Sequence, residues 1–153
     1  MKKRKPTYLC FGIGKESFAV SALKVIEVLE NQEITPVPNA LSFLLGLISF
    51  RGNIIPVINI REKLNVKTEV KDNKEVIIIF DVILNQKKTI IAAIADEVKE
   101  VISADNEEID EAPKIGLSFN PDFLLGTIKR DNFFHLLLDI DKVLGLTDKN
   151  IIL

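Results

Sequence analysis

The sequence predicts an all-β fold of two small barrels with brief helical turns, and three observations carry that prediction. Short apolar stretches that alternate or run unbroken are divided by turn residues throughout the 153-residue chain. The stretch "FLLGLISFRGNIIPVINIREKL" at residues 43–64 returns eighty positions on, without a gap, as "FLLGTIKRDNFFHLLLDIDKVL" at 123–144. Strands such as Ile54-Ile55 with Val57-Ile58 are apolar on both faces, which fits two units that share a core.

The elements follow in order. Residues 8–13, "YLCFGI", alternate and meet a Gly14-Lys15-Glu16 turn before "SFAV", which reads as a hairpin. "ALKVIEVLE" reads as one helical turn feeding a strand. Pro36 and Pro38 in "ITPVPNA" forbid a helix and confine any strand to an edge. In the first copy of the repeat, residues 46–50 and 53–59 are strands joined at Arg51-Gly52. In the second, residues 126–130 and 133–138 are strands joined at Asp131-Asn132. Gly, Asn and Asp tolerate the positive φ that tight hairpins require. Asn59, with Glu62 three residues on, predicts a capping box over 60–64, and Asp139 predicts a cap over 140–144. Pro56 inside an apolar strand predicts an edge or a bulge. "KEVIIIFDVIL" and "TIIAAIADEV" read as a long hairpin around residues 85–88, and "ADNEEIDEAP" as an acidic loop. An isolated hairpin is marginal in water. About five strands per half, closed into a barrel, would bury the sheet edges.

Composition excludes several function classes. Apolar residues make up 47% and charged residues 27%, enough for a core and a wet surface, and the net charge is −2. The basic residues form no stripe beyond residues 2–5, so no electrostatic nucleic-acid footprint is expected. A lone cysteine, Cys10, allows no intramolecular disulfide and suits a reducing compartment. The apolar part of the N-terminal stretch stops at Lys15-Glu16, too soon for a signal peptide, and no stretch approaches a membrane span. A cytoplasmic protein without direct membrane insertion is expected.

Catalytic and metal chemistry finds little support. His135 is the only histidine and reads as structural or half-exposed, since a metal site or triad needs partners. Cys10 reads as a small buried hydrophobe in a strand. The carboxylates Glu107, Glu108, Asp110 and Glu111 lack the central glycine and ligand alternation of a calcium loop. "FGIGKE" lacks the Gly-Lys-Ser/Thr end of a phosphate loop. No catalytic residues, cofactor or metal are expected. Arg51 stands out at its hairpin tip, as a turn residue or as a guanidinium free for a partner.

At this point the stretch "LKVIEVLENQEITPVPNALSFLLGLISFRGNIIPVINIREKL" resembles the CheW family of bacterial chemotaxis coupling proteins. The carrying features are a short helix before a strand, Thr-Pro-x-Pro-Asn, the Arg-Gly hairpin and the following Pro-Val. "IAAIADEVKEVI" and the second copy's "FLLG" and "LLLDIDKVL" extend the resemblance over about residues 7–146. The chain departs from the family pattern with Ser49-Phe50 in place of Asn-Leu, and with Asn59, a neutral cap, in place of Asp. The resemblance implies one domain of two five-stranded SH3-like β-barrels, placed at about 14–72 and 73–146. The first strand, 7–13, could pack with the second barrel, and residues 1–6 would form a disordered basic tail. It implies a non-enzymatic adaptor, monomeric when isolated. Its partners would be the regulatory domain of the histidine kinase CheA and the cytoplasmic tip of methyl-accepting chemoreceptors. Val25, Glu27 and Gly46 would face the kinase from the first barrel, and Lys114 and Ile115 from the second. Arg51, Gly52 and Val101 would border a receptor groove between the barrels. A CheW-like scaffold of another receptor or kinase pathway, and a small-barrel binder of single-stranded nucleic acid, stay open beside this reading.

Overall fold

The computed structural model describes residues 5–30, 32–66, 75–112 and 115–145. The strands are β1 (Thr7–Ile13), β2 (Glu16–Ser21), β3 (Val25–Glu30), β4 (Leu44–Phe50), β5 (Asn53–Ile58), β6 (Val76–Leu84), β7 (Lys87–Ala95), β8 (Glu97–Ser103), β9 (Ile109–Asp110), β10 (Leu124–Arg130) and β11 (Phe133–Leu138). Helix α1 (Ile60–Leu64) follows β5, and α2 (Ile140–Val143) follows β11. One curled sheet has the order β3-β6-β7-β5-β4, and the other β8-β1-β2-β11-β10-β9. The first closes where Thr35, past the end of β3, bridges to Leu47 of β4. The second closes where β9, past the end of β8, pairs with β10. These are two SH3-like barrels.

The eighty-residue repeat returns in several backbone details. β4 and β5 pair with a bulge between Leu44 and Gly46, and β10 and β11 with a bulge between Leu124 and Gly126. Asn59 N donates to Phe43 O at 2.7 Å, and Asp139 N to Phe123 O at 2.8 Å. Arg51 and Asp131 take left-handed φ values of 50° and 51° at equivalent hairpin tips. Asn59 Oδ1 accepts from Arg61 N, and Asp139 Oδ1 from Lys142 N, so each cap satisfies a helix N–H that has no partner within its own turn.

The chain does not divide into barrels at residues 72 and 73. The β1–β2 hairpin of the first half belongs to the second barrel, and β6–β7 of the second half belongs to the first. Each half thus lends its leading hairpin to the other. The alternation of β6 shows why. Ile77 and Ile79 enter the interior of the first barrel with Ile48, Phe50, Ile55 and Val57, while Val76, Ile78, Phe80 and Val82 enter the core between barrels. β1 does the same, sending Tyr8 and Cys10 into the second barrel and Leu9, Phe11 and Ile13 into the shared core. A strand apolar on both faces must be covered on both, and the boundary between two barrels is where that happens.

Four further expectations are corrected. Glu62 does not complete a capping box; its carboxylate accepts from Ser42 Oγ at 2.5 Å. β5 is an interior strand with no bulge at Pro56. Its parallel ladder to β7 starts only at Val57, so the missing N–H falls before the ladder. The β6–β7 turn is just Asn85-Gln86, both at positive φ, with Lys87 already paired to Leu84. The acidic loop contains a 3-10 turn (Asn106–Glu108) and β9, and Glu108 meets Lys5 and Arg130 at 3.3 and 3.0 Å. Of the expected N-terminal tail, residues 1–4 lie outside the described residues, whereas Pro6 O accepts from Ala104 N at 3.0 Å and so is tied down.

Candidate functional site

The hairpin tips and barrel seams present the side chains that could meet a partner. At the first tip, Arg51 leans back over the Phe50 ring, its guanidinium carbon 4.7 Å from the centroid, and pairs with Glu27 at 3.5 Å. β3 and β4 stand at opposite ends of the sheet order, so this pair spans the seam where the barrel closes. Arg51 is therefore not free, although its side chain is 66% exposed. Arg130 closes the second barrel in the same manner, donating to Ser103 O at 2.6 Å and pairing with Glu108. Salt bridge and backbone contacts together lower the Glu108 carboxyl below its ordinary value; the hydrogen bond from the Asp105 backbone acts first and Lys5 adds to it.

The residues named from the sequence scatter over both barrels. Val25 is half-buried and packs on the shared core. Glu27 stands beside Arg51, so one member of the kinase set touches one of the receptor set. Gly46 is buried, and a Cβ there would lie 2.3 Å from Thr35 O, so the position packs against the segment that closes the first barrel. Gly52 is open at the tip, Val101 is exposed on β8, and Ile115 is 91% exposed in the loop before β10. Lys114 lies outside the described residues. Ile54, Phe133 and Phe134 are among the large apolar side chains that lie inside apolar runs of the sequence and yet stand exposed. The alternation of β5 and β11 continues past the covered part of each strand, so position in the strand, not residue type, leaves them exposed.

A cleft of about 770 Å³ opens between the barrels. Phe18, Leu64, Val66, Leu117, Phe119 and Leu136 supply its apolar walls, with Lys15, Glu16, Asn65 and Asp96 among its polar groups. Arg51, Gly52 and Val101 are not among its lining residues. Asp96 closes one end of the boundary. It accepts from Gly14 N at 2.6 Å and from Arg61, which also pairs with Glu75 at 2.6 Å. Burial works against the charge on Arg61, but these carboxylate hydrogen bonds outweigh it and raise its pKa. Asp141, eighty positions on from Arg61, makes the counterpart tie with the signs reversed: it holds Lys24 at 3.0 Å and accepts from Ile83 N at 3.1 Å.

Among the described residues, the buried polar groups make no recognisable reaction centre. His135 Nδ1 is 2.6 Å from Ser17 Oγ, a partner hidden in the linear order because 118 positions separate the two. Glu100 stands 3.9 Å from Nε2, beyond the hydrogen-bond reach by which a triad carboxylate orients its base. Burial, with Glu100 adding, pushes the Cys10 thiol up to about 11, away from nucleophilic use. Among the described residues no three His, Cys, Asp or Glu side chains cluster as metal ligands, and no helix is long and apolar enough to cross a membrane.

Comparison with known proteins adds the following. The profile of the CheW-like domain matches residues 7–147. The chemotaxis protein CheW of Bacillus subtilis is 29% identical over 138 residues, covering 89% of this chain and 85% of its own. That of Klebsiella aerogenes is 28% identical over 138 residues, covering 90% and 81%. The scaffolding protein TtCheW from Thermoanaerobacter tengcongensis superposes with a TM-score of 0.82 at 25% identity, over 97% of this chain and 98% of that one.

Proposed function

Because this chain belongs to the CheW-like domain family, we propose that it is a non-enzymatic scaffold of a chemotaxis signalling complex in the cytoplasm, coupling chemoreceptors to the histidine kinase CheA. It binds the kinase regulatory domain and the receptor cytoplasmic tip, and needs no metal or cofactor. The observation that carries this reading is the pair of like-built barrels, each exposing a large apolar side chain near its hairpin: Ile54 on the strand after the first tip and Ile115 in the loop before β10. Singly exposed side chains are ordinary. A repeated fold with an apolar contact on each unit, however, suits a protein that holds neighbours on two sides. In this reading Val25 and Glu27 face the kinase from the first barrel, and Lys114 and Ile115 from the second. Arg51, Gly52 and Val101 meet the receptor.

The test uses the purified chain, the kinase regulatory domain and a receptor tip peptide. Ile115→Glu removes a solvent-facing side chain, so the melting temperature holds while kinase-domain binding weakens by about 1–2 kcal/mol or more. Arg51→Ala costs about 0–1 kcal/mol of stability through its exposed pair with Glu27, and weakens receptor binding more than kinase binding. If both variants bind both partners as the parent does, these surfaces are misassigned. If the parent binds neither partner, the coupling role itself is wrong.

A further inference from the structure

The repeat supplies an internal control for a buried polar pair. In the first barrel, the parallel pairing of β5 with β7 sets Val57 beside Ala92. Two residues back along each strand are Ile55 and Ile90, both aliphatic. In the second barrel, β11 pairs with β2 in the same way, with Leu137 beside Ala19. Two residues back stand His135 and Ser17, joined side chain to side chain at 2.6 Å. At this place the first barrel carries two aliphatic residues, Ile55 buried and Ile90 39% exposed, and only the second barrel puts a titratable group there. His135 is 5% exposed.

The surroundings decide what a proton does at this ring. On β2 the Ser17 hydroxyl serves Nδ1 equally as donor or acceptor, so it does not select a charge state. On β8, Glu100 stands 3.9 Å from Nε2 with a side chain 57% exposed, while Lys99 repels. On β10, Arg130 repels as well. On β1, the thiol of Cys10 is neutral and feels the same three charges. Burial and two cations oppose a charged imidazole, and one loosely placed carboxylate favours it. Burial leads, and the pKa is held below its ordinary value of 6.5.

We propose that His135 makes the second barrel an acid-sensitive element, in which uptake of a proton loosens the β2–β11 seam while the first barrel is unaffected. The seam is vulnerable because the parallel ladder there comprises only two residue pairs, Leu136 with Phe18 and Leu137 with Ala19. The sign follows from linkage. A histidine held neutral in the folded state contributes stability above its unfolded value near 6.5, and this is lost as pH falls toward the folded value. Carboxylates of ordinary acidity stay ionised over most of that window.

As the sole histidine, His135 gives an unambiguous imidazole resonance, so its titration can be followed by NMR in the intact protein. Hydrogen exchange, expressed as protection factors, then compares β2 and β11 with β5 and β7 between about pH 7.5 and pH 5.5. The ring should titrate below 6.5. Protection of β2 and β11 should fall by up to about tenfold per pH unit below that, with β5 and β7 unchanged. The double variant Ser17→Ile, His135→Ile copies the first barrel and should abolish the difference between barrels. If the ring titrates at or above its ordinary value, if both barrels lose protection together, or if the folded double variant keeps the pH response, the proposal is overturned.

Discussion

Replacing Gly46 by alanine tests whether this position is a packing site or a partner contact, and the repeat offers a second copy of the experiment. An added Cβ would lie 2.3 Å from Thr35 O and 2.7 Å from Ile34 Cγ2. Ordinary contact needs about 3.5 Å, so the Thr35 carbonyl would have to recede by about 1 Å. That carbonyl accepts from Leu47 N at 2.8 Å, while Thr35 N donates to Leu47 O at 2.9 Å, and together these bonds close the first barrel. Losing much of two hydrogen bonds costs about 1–2 kcal/mol, and overpacking about 1–3 more. Gly46 also sits at φ +154°, a backbone that L residues rarely adopt, and this strain cancels the roughly 0.5 kcal/mol that a stiffer unfolded chain would otherwise return. The net is a destabilisation of about 3 kcal/mol, or a fall of about 6–12 °C in Tm for a domain of this size. Gly126→Ala should clash in the same way, its Cβ meeting Asp110 O at 2.6 Å and Ile109 Cγ2 at 2.7 Å, but without the positive φ that adds strain at Gly46. Thermal melts by circular dichroism read both variants. A Gly46→Ala protein that melts within a degree or two of the parent but no longer binds the kinase domain would refute this reasoning and restore Gly46 as a contact residue.

Three other perturbations have defined outcomes. Asp96→Ala strips Arg61, whose side chain is 19% exposed, of one of its two carboxylates and leaves Gly14 N without its acceptor; urea melts should show a loss of about 2–3 kcal/mol, with Asp96→Asn recovering part of it. Cys10, buried and with a thiol raised to about 11, should resist alkylation in the folded protein and react at a normal rate in denaturant; its share of stability, present below the unfolded value of 9.0, should fall as pH rises from there toward 11. Gln86→Gly places glycine at a left-handed turn position with φ of 66°, and should raise stability by about 0.5–1 kcal/mol in the same melts.

Partner specificity draws on a part of the molecule that sequence pattern reaches only indirectly. The family resemblance points to Arg51 as a contact, but its pair with Glu27 makes the residue a seam closure as well. A binding defect in an Arg51 variant therefore needs the melt beside it. The tie of Arg61 to Asp96 and its reversed counterpart, Asp141 to Lys24, are similarly invisible in the linear order, because 35 and 117 positions separate the partners.

What the sequence determined by itself is local. Alternation, turn residues and cap positions act through neighbours a few residues apart, so the hairpins, the caps at Asn59 and Asp139 and the eighty-residue repeat were legible before any coordinates. β8 was not, because its edge position leaves "EVKEVIS" mostly exposed and without an apolar face to announce it. The strand content and likeness of the halves likewise pointed to two barrels with a common core. Only the tertiary structure decided which hairpin belongs to which barrel. Val76–Phe80 can satisfy its two apolar faces by packing into either barrel, and the choice rests on contacts between segments tens of residues apart. The same distance hid Ser17 from His135 and Glu27 from Arg51: hydrogen bonds and ion pairs across a closed sheet depend on register and closure, which no periodicity along the chain encodes.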